Sequence, residues 1–214
     1  MILKRFVVGK IGTNAYIIHD KRTLDAAAID PGDNSKVLID YINKNNLKLN
    51  DIILTHHHYD HIGAVNDLKK QYNSNISVHK KDLKGLKNPS INLSKQSDRK
   101  PISIDANKVL SNGSIIKIGN ISLEVIHTPG HTKGGICLKS RHQNVIFTGD
   151  TLFNDGIGRL DLPGGSEEDM IITIKNIVSK WDDNIIIYPG HGNWDTMKNI
   201  RRRNEEYKYI INLC

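Results

Sequence analysis

The stretch "LTHHHYDHIGA", residues 54–64, places four histidines and one aspartate within six consecutive positions. Side chains alternate between the two faces of an extended chain, so His56, His58 and Asp60 are predicted to share one face while His57 and Tyr59 point the other way. A helix is predicted to begin at Asp60, and His61 in its first turn can reach the same point. The alternative is a polar turn in which the histidines recur by chance. The ordered set favours a metal site, because imidazole and carboxylate groups are ligands for zinc, iron and manganese.

Three further segments of the chain repeat the same local design. Each takes an apolar run and ends it at a glycine turn that supplies a histidine or an aspartate. Functional residues gather at strand ends in α/β proteins, so the four segments together predict one site. Taken alone, a residue such as His131 is more often a packed or surface histidine. The segments are "VIHTPGHT" (125–132) with His131, "VIFTGDT" (145–151) with Asp150, and "IIIYPGHG" (185–192) with His191.

The rest of the chain alternates predicted strands with predicted helices, without internal repeats or a low-complexity linker. A single α/β domain over residues 1–214 is therefore expected. Hydrophobic residues at helical spacing predict an amphipathic helix at 34–45, and Ser166 with Asp169 is spaced as a capping box at the start of another. Residues 80–113 are polar and are broken by glycine and proline, which predicts a long loop with little regular structure.

Composition and charge limit the classes of function. The longest apolar runs are far shorter than a membrane span, so no membrane association is expected. The 214 residues include 30 Lys and Arg against 23 Asp and Glu, a net charge of +7, but these are scattered as on a solvated surface. Only 201–203 is a compact basic run, and a helix face in water is favoured there over nucleic-acid binding. Two cysteines, Cys137 and Cys214, cannot build a disulfide framework, which favours a cytoplasmic location.

Six motifs, in the order in which they occur, resemble those of the metallo-β-lactamase superfamily. The resemblance spans nearly the whole chain and implies an αββα sandwich, in which two mixed β-sheets are flanked by helices. It also implies two divalent metal ions, with Zn2+ first and iron or manganese as alternatives. By position, His56, His58 and His131 would hold one ion, Asp60, His61 and His191 would hold the other, and Asp150 would bridge them. The motifs are "TNAYIIHD", "AAAIDPG", "HHHYDH", "TPGHTKG", "TGDTLF" and "PGHG".

The segment "GIGRLDLPGGS", residues 156–166, most resembles the small glyoxalase II-like (hydroxyacylglutathione hydrolase-like) proteins and the persulfide dioxygenases. The first resemblance implies a hydrolase that cleaves S-acyl glutathione thioesters, of the S-lactoylglutathione type, with a metal-bridging hydroxide. Asp60 and Asp150 would orient that hydroxide. The alternative is an iron-dependent persulfide dioxygenase with one iron at His56, His131 and Asp150. A phosphodiesterase or nuclease ranks below both.

Two further residues are candidates outside the ligand set. Asp30, at the end of the predicted strand "AAAID", could fix the tautomer of a ligand imidazole through a hydrogen bond. The alternative is that Asp30 only starts the Pro-Gly turn. Arg159 follows Asp150 by a short glycine-rich loop and could bind a substrate carboxylate. The alternative for Arg159 is a local salt bridge with Asp161 or Asp155.

Overall fold

The computed structural model describes residues 1–98 and 100–213, and the N-terminal half of the chain forms the first of two β-sheets. Its strands are β1 (Ile2–Val8), β2 (Thr13–His19), β3 (Asp25–Ile29), β4 (Lys48–Ile53), β5 (Asn75–His79) and β6 (Lys108–Leu110). They lie side by side in chain order. The pairs from β1 to β3 are antiparallel and those from β3 to β6 are parallel, so the sheet is mixed.

The second sheet is also mixed and is formed by the C-terminal half. Its strands are β7 (Ile115–Ile118), β8 (Ile121–His127), β9 (Ile136–Ser140), β10 (Val145–Gly149), β11 (Ile186–Pro189) and β12 (Asp195–Thr196). They too lie in chain order across the sheet. β10 and β11 pair in parallel, and the other pairs are antiparallel. The parallel pair carries "VIFTG" and "IIYP", continuous apolar runs that are typical of strands covered on both faces.

Helices cover the outer face of each sheet, which gives the layer order α, β, β, α. Leu38 and Ile17 belong to a core between helices and the first sheet. Ile18, the neighbour of Ile17 on the strand, faces the opposite way and packs with Leu123 between the two sheets. Ile174 belongs to a third core on the outer face of the second sheet. The helices are α1 (Ser35–Lys44), α2 (Tyr59–Ile62), α3 (Val65–Tyr72), α4 (Leu83–Lys87), α5 (Glu167–Asn176), α6 (Met197–Arg203) and α7 (Glu205–Asn212).

The region 80–113 has more regular structure than the sequence predicted. It begins with a 3₁₀ turn at Lys80–Asp82 and α4, and it contains strand β6 near its end. Leu86 and Ile104 from this region are buried in the first core. The prediction of a loop with little structure was therefore wrong in part. A three-residue strand and a five-residue helix are too short to produce a hydrophobic period.

The helix predicted after the histidines is two helices, α2 and α3. The amide of Ala64 donates to the carbonyl of Pro31 at 2.9 Å instead of continuing the helix, and this bond separates the two. His58 is the N-cap of α2, which begins at Tyr59, so the helix starts one residue before the predicted start at Asp60. The turn at Pro31 and Gly32 packs closely against α2, since a Cβ added to Gly32 would lie 1.5 Å from the carbonyl oxygen of Asp60.

Two local predictions about helices are confirmed. The amphipathic helix expected at 34–45 is α1, and the Ser166 hydroxyl accepts a hydrogen bond from the amide of Asp169 at 3.1 Å. In the basic run, Arg201 is bound to Asp183 and to the carbonyl of Ser179, so it holds neighbouring backbone. Within residues 1–98 and 100–213, no helix combines the length and hydropathy needed to cross a bilayer. Cys214 lies outside the described residues.

Candidate metal centre

The predicted ligand residues lie on loops, and for Asp60 and His61 on the short helix α2, that follow strands of both sheets. His56, His58, Asp60 and His61 follow β4 of the first sheet, whereas His131 follows β8, Asp150 follows β10 and His191 follows β11 of the second. Since the two sheets face each other, loops that leave them at the same end can converge. The short distances between side chains from the two sheets show that they do.

Among the described residues, three groups of His and Asp side chains bring their ligand atoms close enough to hold a metal ion. One of them, Asp30 with His56 and His61, shares both histidines with the other two, which consist only of predicted ligands. In one of these two, Nδ1 of His58 lies 2.9 Å from Nε2 of His131. In the other, Nε2 of His191 lies 3.2 Å from Oδ2 of Asp60. These groups match the two sets that the sequence resemblance implied. The first consists of His56, His58 and His131 and the second of Asp60, His61 and His191, with all ligand atoms of a group within 4.8 Å of one another.

The carboxylate of Asp150 lies between the two groups. Its Oδ2 is 3.5 Å from Nε2 of His131, and its Oδ1 is 3.3 Å from Nε2 of His61. A carboxylate with one oxygen near each group has the position needed to bridge two ions. The structure therefore brings together all of the side chains that the sequence singled out as ligands.

Hydrogen bonds behind the ligands determine which ring nitrogen faces the centre. The Thr55 hydroxyl donates to Oδ2 of Asp30 at 2.6 Å, so its oxygen is left to accept from Nδ1 of His56 at 3.1 Å. Oδ2 of Asp30 also accepts from Nδ1 of His61 at 3.1 Å. Both imidazoles then carry their proton on Nδ1 and direct the Nε2 lone pair towards the centre. The contact between Asp30 and a ligand imidazole is the one expected from the sequence.

The donor atoms fit a divalent cation. Nδ1 of His131 donates to the carbonyl of Arg159 at 2.7 Å, which leaves the Nε2 lone pair facing the centre. Nε2 of His56 is buried and has no hydrogen-bond partner among residues 1–98 and 100–213. Lone pairs and carboxylate oxygens that converge in a buried site need a cation to compensate them. The chain thus contains a His and Asp cluster suited to divalent metal ions.

Burial and neighbouring charges shift the pKa values of these side chains in different directions. Burial alone would lower the pKa of His61, but the carboxylates of Asp60 and Asp150 outweigh it and raise that pKa, so a metal ion has to displace a proton there. Burial, followed by the nearby imidazole of His61, lowers the pKa of His56 well below its usual range. Burial and the neighbouring His131 lower the pKa of His58 to about 3. Burial alone would raise the pKa of Asp150, but His61 outweighs it and the pKa is lowered overall. Neutral imidazoles and ionised carboxylates are the ligand forms.

Asp82, which the sequence gave no reason to select, joins two of the ligand loops. It accepts hydrogen bonds from the hydroxyl of Thr132 at 2.9 Å and from the amide of Gly134 at 2.7 Å, both beside His131. Its Oδ2 also lies 2.9 Å from Nδ1 of His57 in the loop after β4. His57 thus faces away from the centre, as the alternation predicted. A single aspartate in a polar segment produces no signal in a sequence.

Strand β2 holds the last ligand loop in place. The side-chain amide of Asn14 donates to the carbonyls of Pro189 at 2.9 Å and of Gly192 at 2.8 Å. The hydroxyl of the preceding residue, Thr13, donates to Oδ2 of Asp60 at 2.8 Å. Both residues belong to the motif "TNAYIIHD", so the motif contained the signal although no role was predicted for its polar residues.

A cleft of about 340 Å³ opens onto the centre. Predicted ligands, including His58 and Asp150, form part of its lining. Tyr59, which the alternation placed away from the metals, also borders it. The remaining lining is mostly apolar, so a substrate that reaches the centre meets a largely hydrophobic surface. The apolar lining residues are Ile11, Leu93, Phe153, Ile157 and Leu162.

Arg159 borders this cleft, and its guanidinium is engaged by Asp161. Nε and Nη2 of Arg159 donate to the two carboxylate oxygens at 3.0 and 2.8 Å. The Arg159 side chain is 69% exposed. The local salt bridge that the sequence allowed is therefore present with Asp161. A role for Arg159 in binding a substrate carboxylate stays a prediction.

Comparisons with known proteins agree with this geometry. The family model described as the metallo-beta-lactamase superfamily matches residues 8–191. Hydroxyacylglutathione hydrolase GloC from Haemophilus influenzae is 37% identical over 196 residues, which cover 89% of this chain and 91% of that protein. Among solved structures, the BLEG-1 B3 metallo-beta-lactamase has a TM-score of 0.89 at 32% identity and covers 95% of this chain and 98% of its own. TTHA1623, solved in a di-iron-bound form, has a TM-score of 0.82 at 26% identity, with 94% and 98% covered.

Proposed function

Since this chain belongs to the metallo-beta-lactamase superfamily, we propose that it is a binuclear metallohydrolase that cleaves S-acyl glutathione thioesters of the S-lactoylglutathione type. The observation that carries the proposal is the pair of complete ligand groups, with the carboxylate of Asp150 between them, at the base of an open cleft. The similarity to a hydroxyacylglutathione hydrolase supports the substrate class.

The proposal assigns each ligand residue to an ion. Zinc is the proposed metal, with iron or manganese as alternatives, because His and Asp ligands accept all three. When bound, two such ions lower the pKa of water towards neutrality and withdraw charge from a carbonyl oxygen. His56, His58 and His131 hold one ion, Asp60, His61 and His191 hold the other, and Asp150 is shared.

The remaining contributions come from the residues of the chain. Asp60 and Asp150 orient the attacking water, and the Thr13 hydroxyl fixes the carboxylate of Asp60 for this task. The Asp30 carboxylate keeps the proton of His61 on the side away from the substrate. The apolar walls of the cleft exclude water from the thioester carbonyl, which strengthens every electrostatic interaction there.

The test is hydrolysis of S-lactoylglutathione by metal-loaded protein under anaerobic conditions. We expect metal-dependent turnover, and we expect Asp150→Ala to lower it by at least ~100-fold because both ions lose a ligand. Asp155→Ala removes an exposed carboxylate of the same loop and should stay within about twofold of the parent. Turnover that survives Asp150→Ala or complete chelation would refute the proposal.

Persulfide oxidation by a single iron is the alternative that the same preparation tests. Oxygen uptake with glutathione persulfide by iron-loaded protein, without anaerobic thioester turnover, would favour it. The completeness of the second ligand group supports the hydrolase, because a one-iron site does not require Asp60, His61 and His191. Nuclease activity stays below both, and nucleic acid is not a proposed partner.

A second candidate is β-lactam hydrolysis, which the similarity to the BLEG-1 B3 metallo-beta-lactamase favours. The same centre would open an amide ring in place of a thioester. Nitrocefin hydrolysis measured beside S-lactoylglutathione hydrolysis separates the two, since kcat/KM for the better substrate should exceed the other by orders of magnitude.

Two smaller proposals accompany the main one. A cytoplasmic location is supported by Cys137, a buried free thiol. Arg159 is proposed to bind a substrate carboxylate when it leaves Asp161. An Arg159→Ala variant with an unaltered KM for S-lactoylglutathione would limit Arg159 to the surface ion pair.

A further inference from the structure

One apolar wall of the cleft is a short loop, residues 153–157, which is stabilised by a hydrogen bond within its own backbone. The amide of Phe153 donates to the carbonyl of Gly156 at 2.8 Å. Phe153 and Ile157 line the cleft, and the Phe153 ring meets His191 edge-on with 5.9 Å between ring centroids. The position of this loop therefore determines how much apolar surface a substrate meets beside the metal centre.

Asn204, at the junction of α6 and α7, ties this loop to the C-terminal helices. The residue is fully buried. Its Nδ2 donates to the carbonyls of Phe153 at 3.2 Å and Gly156 at 2.9 Å. Its Oδ1 accepts the amide of Tyr207 at 2.8 Å and so caps α7. One side chain thus starts the last helix and holds the cleft wall.

Glu206, in the first turn of α7, makes a second attachment to the same loop. Its Oε2 accepts the amide of Ile157 at 2.7 Å. Glycine at 156 allows this approach, because a Cβ there would lie 2.9 Å from the same carboxylate oxygen. The adjacent Glu205 is also exposed, but it is bonded to Lys208 instead.

We propose that the start of α7 determines acyl-chain specificity, with Asn204 and Glu206 as positioning residues that hold Phe153 and Ile157 against the acyl chain of the thioester. The inference rests on the proposed function, because it takes a thioester as the substrate. Apolar side chains dominate this part of the cleft, so the preferred substrates are thioesters with apolar aliphatic acyl groups of several carbons. Lactoyl, which is short and carries a hydroxyl, uses little of this wall.

The test is a chain-length series of acetyl, butyryl and hexanoyl glutathione with the metal-loaded protein. In the parent, kcat/KM should rise up to about fourfold for each methylene that the wall covers, which corresponds to ~0.8 kcal/mol. Glu206→Ala and Asn204→Asp should reduce the total gain from acetyl to hexanoyl at least tenfold, with an unchanged metal-to-protein ratio. Asn204→Asp keeps the oxygen that caps α7 and removes both donors to the loop.

Glu205→Ala is the matched control, because it removes the same charge one residue earlier in the same helix. It should keep the full chain-length dependence and the parent's slow amide exchange at Ile157, whereas Glu206→Ala should speed that exchange. The inference would be overturned if kcat/KM did not change with chain length in the parent, or if it rose equally in the parent and in Glu206→Ala.

Failure of the thioesterase proposal is distinguishable from failure of this inference. If the metal-loaded parent hydrolyses none of the thioesters, the proposed function fails. The role of the cleft wall is then tested by calorimetry, which measures the affinity for ethanethiol, butanethiol and hexanethiol. An affinity that rises with chain length in the parent and in Glu205→Ala, but not in Glu206→Ala or Asn204→Asp, would support the inference that Asn204 and Glu206 position the cleft wall. The same affinity trend in all four proteins would refute it.

Discussion

The carboxylate of Asp30 sets the proton position of two proposed ligand imidazoles, directly for His61 and through the Thr55 hydroxyl for His56. Asp30→Asn keeps the shape of the side chain but removes its charge and one acceptor. We expect the affinity for zinc to fall about 10–100-fold, as for other residues that orient metal ligands. Competition with a chromogenic chelator measures it.

Asp40→Asn is the control for Asp30, since Asp40 is exposed and is paired only with Lys36 in the described structure. It should retain the zinc affinity of the parent. An equal affinity in all three proteins would show that Asp30 only shapes the turn after β3.

His79 is expected to make the stability of the folded chain depend on pH, independently of the metal centre. Its ring stacks on His127, with 4.2 Å between centroids, and the residue is 2% exposed. Burial and the neighbouring His127 lower the pKa of His79 to about 4. In the unfolded chain the pKa returns to about 6.5, so protonation favours unfolding. The stability that depends on neutral His79 is complete above pH 6.5 and is lost as the pH falls towards 4.

We therefore expect the His79→Gln variant to lose less stability than the parent between pH 7.5 and pH 5. The difference should reach at most about 2 kcal/mol, since pH 5 lies about 1.5 units below the pKa of the unfolded chain and each unit corresponds to 1.36 kcal/mol. Urea unfolding of the metal-loaded proteins at both pH values measures it. Parallel losses in parent and variant would assign the acid sensitivity to other groups.

At the scale of elements, the 3₁₀ turn before α4 fastens two ligand loops to the first sheet through Asp82. Asp82→Asn should lower the free energy of unfolding by about 2–4 kcal/mol, because it weakens a buried, charged hydrogen-bond network around His57. Asp105→Asn lies in the same region of the chain, in an exposed pair with Lys87, and should change stability by less than ~1 kcal/mol. Urea unfolding of both variants measures the two changes. Equal losses of unfolding free energy would contradict the role of Asp82.

Elements with strong local patterns could be predicted from the sequence. The apolar strands that precede His56, Asp150 and His191 were recognisable because strands covered on both faces give continuous hydrophobic runs. His131, Asp150 and His191 were recognisable because a glycine turn places each of them after an apolar run. The pattern of strands and helices predicted a single α/β domain, and the αββα architecture was implied only by the resemblance of the motifs to the metallo-β-lactamase superfamily.

Elements that depend on tertiary contacts could not be predicted. Strands β5 and β6 are short and gain their hydrogen bonds only from neighbours in the sheet. The break between α2 and α3 comes from a bond to Pro31, distant in the sequence. Asp82 and Asn204 act through partners 50 and 48 residues away, in the loops of Thr132 and Gly156, and neither lies in a recognisable motif.

At the scale of the molecule, the proposed ligand cluster draws on both sheets. One set of ligand residues follows β4 of the first sheet, and His131, Asp150 and His191 follow strands of the second. Each ligand group draws on both sheets. Ions held in this way stabilise the native sandwich specifically, since the unfolded chain does not bring the groups together.

Removal of the metal should therefore lower global stability as well as activity. At a free ion concentration about 1,000 times the Kd, binding contributes ~4 kcal/mol, and for a chain of this size we expect chelation to lower the Tm by about 8–16 °C. Scanning calorimetry with and without chelator measures this shift. Asp150→Asn should abolish most of it, and Asp155→Asn should retain it. If the parent had the same Tm in both conditions, the ions would not link the sheets, and the facing loops would be held by protein contacts such as those of Asp82 alone.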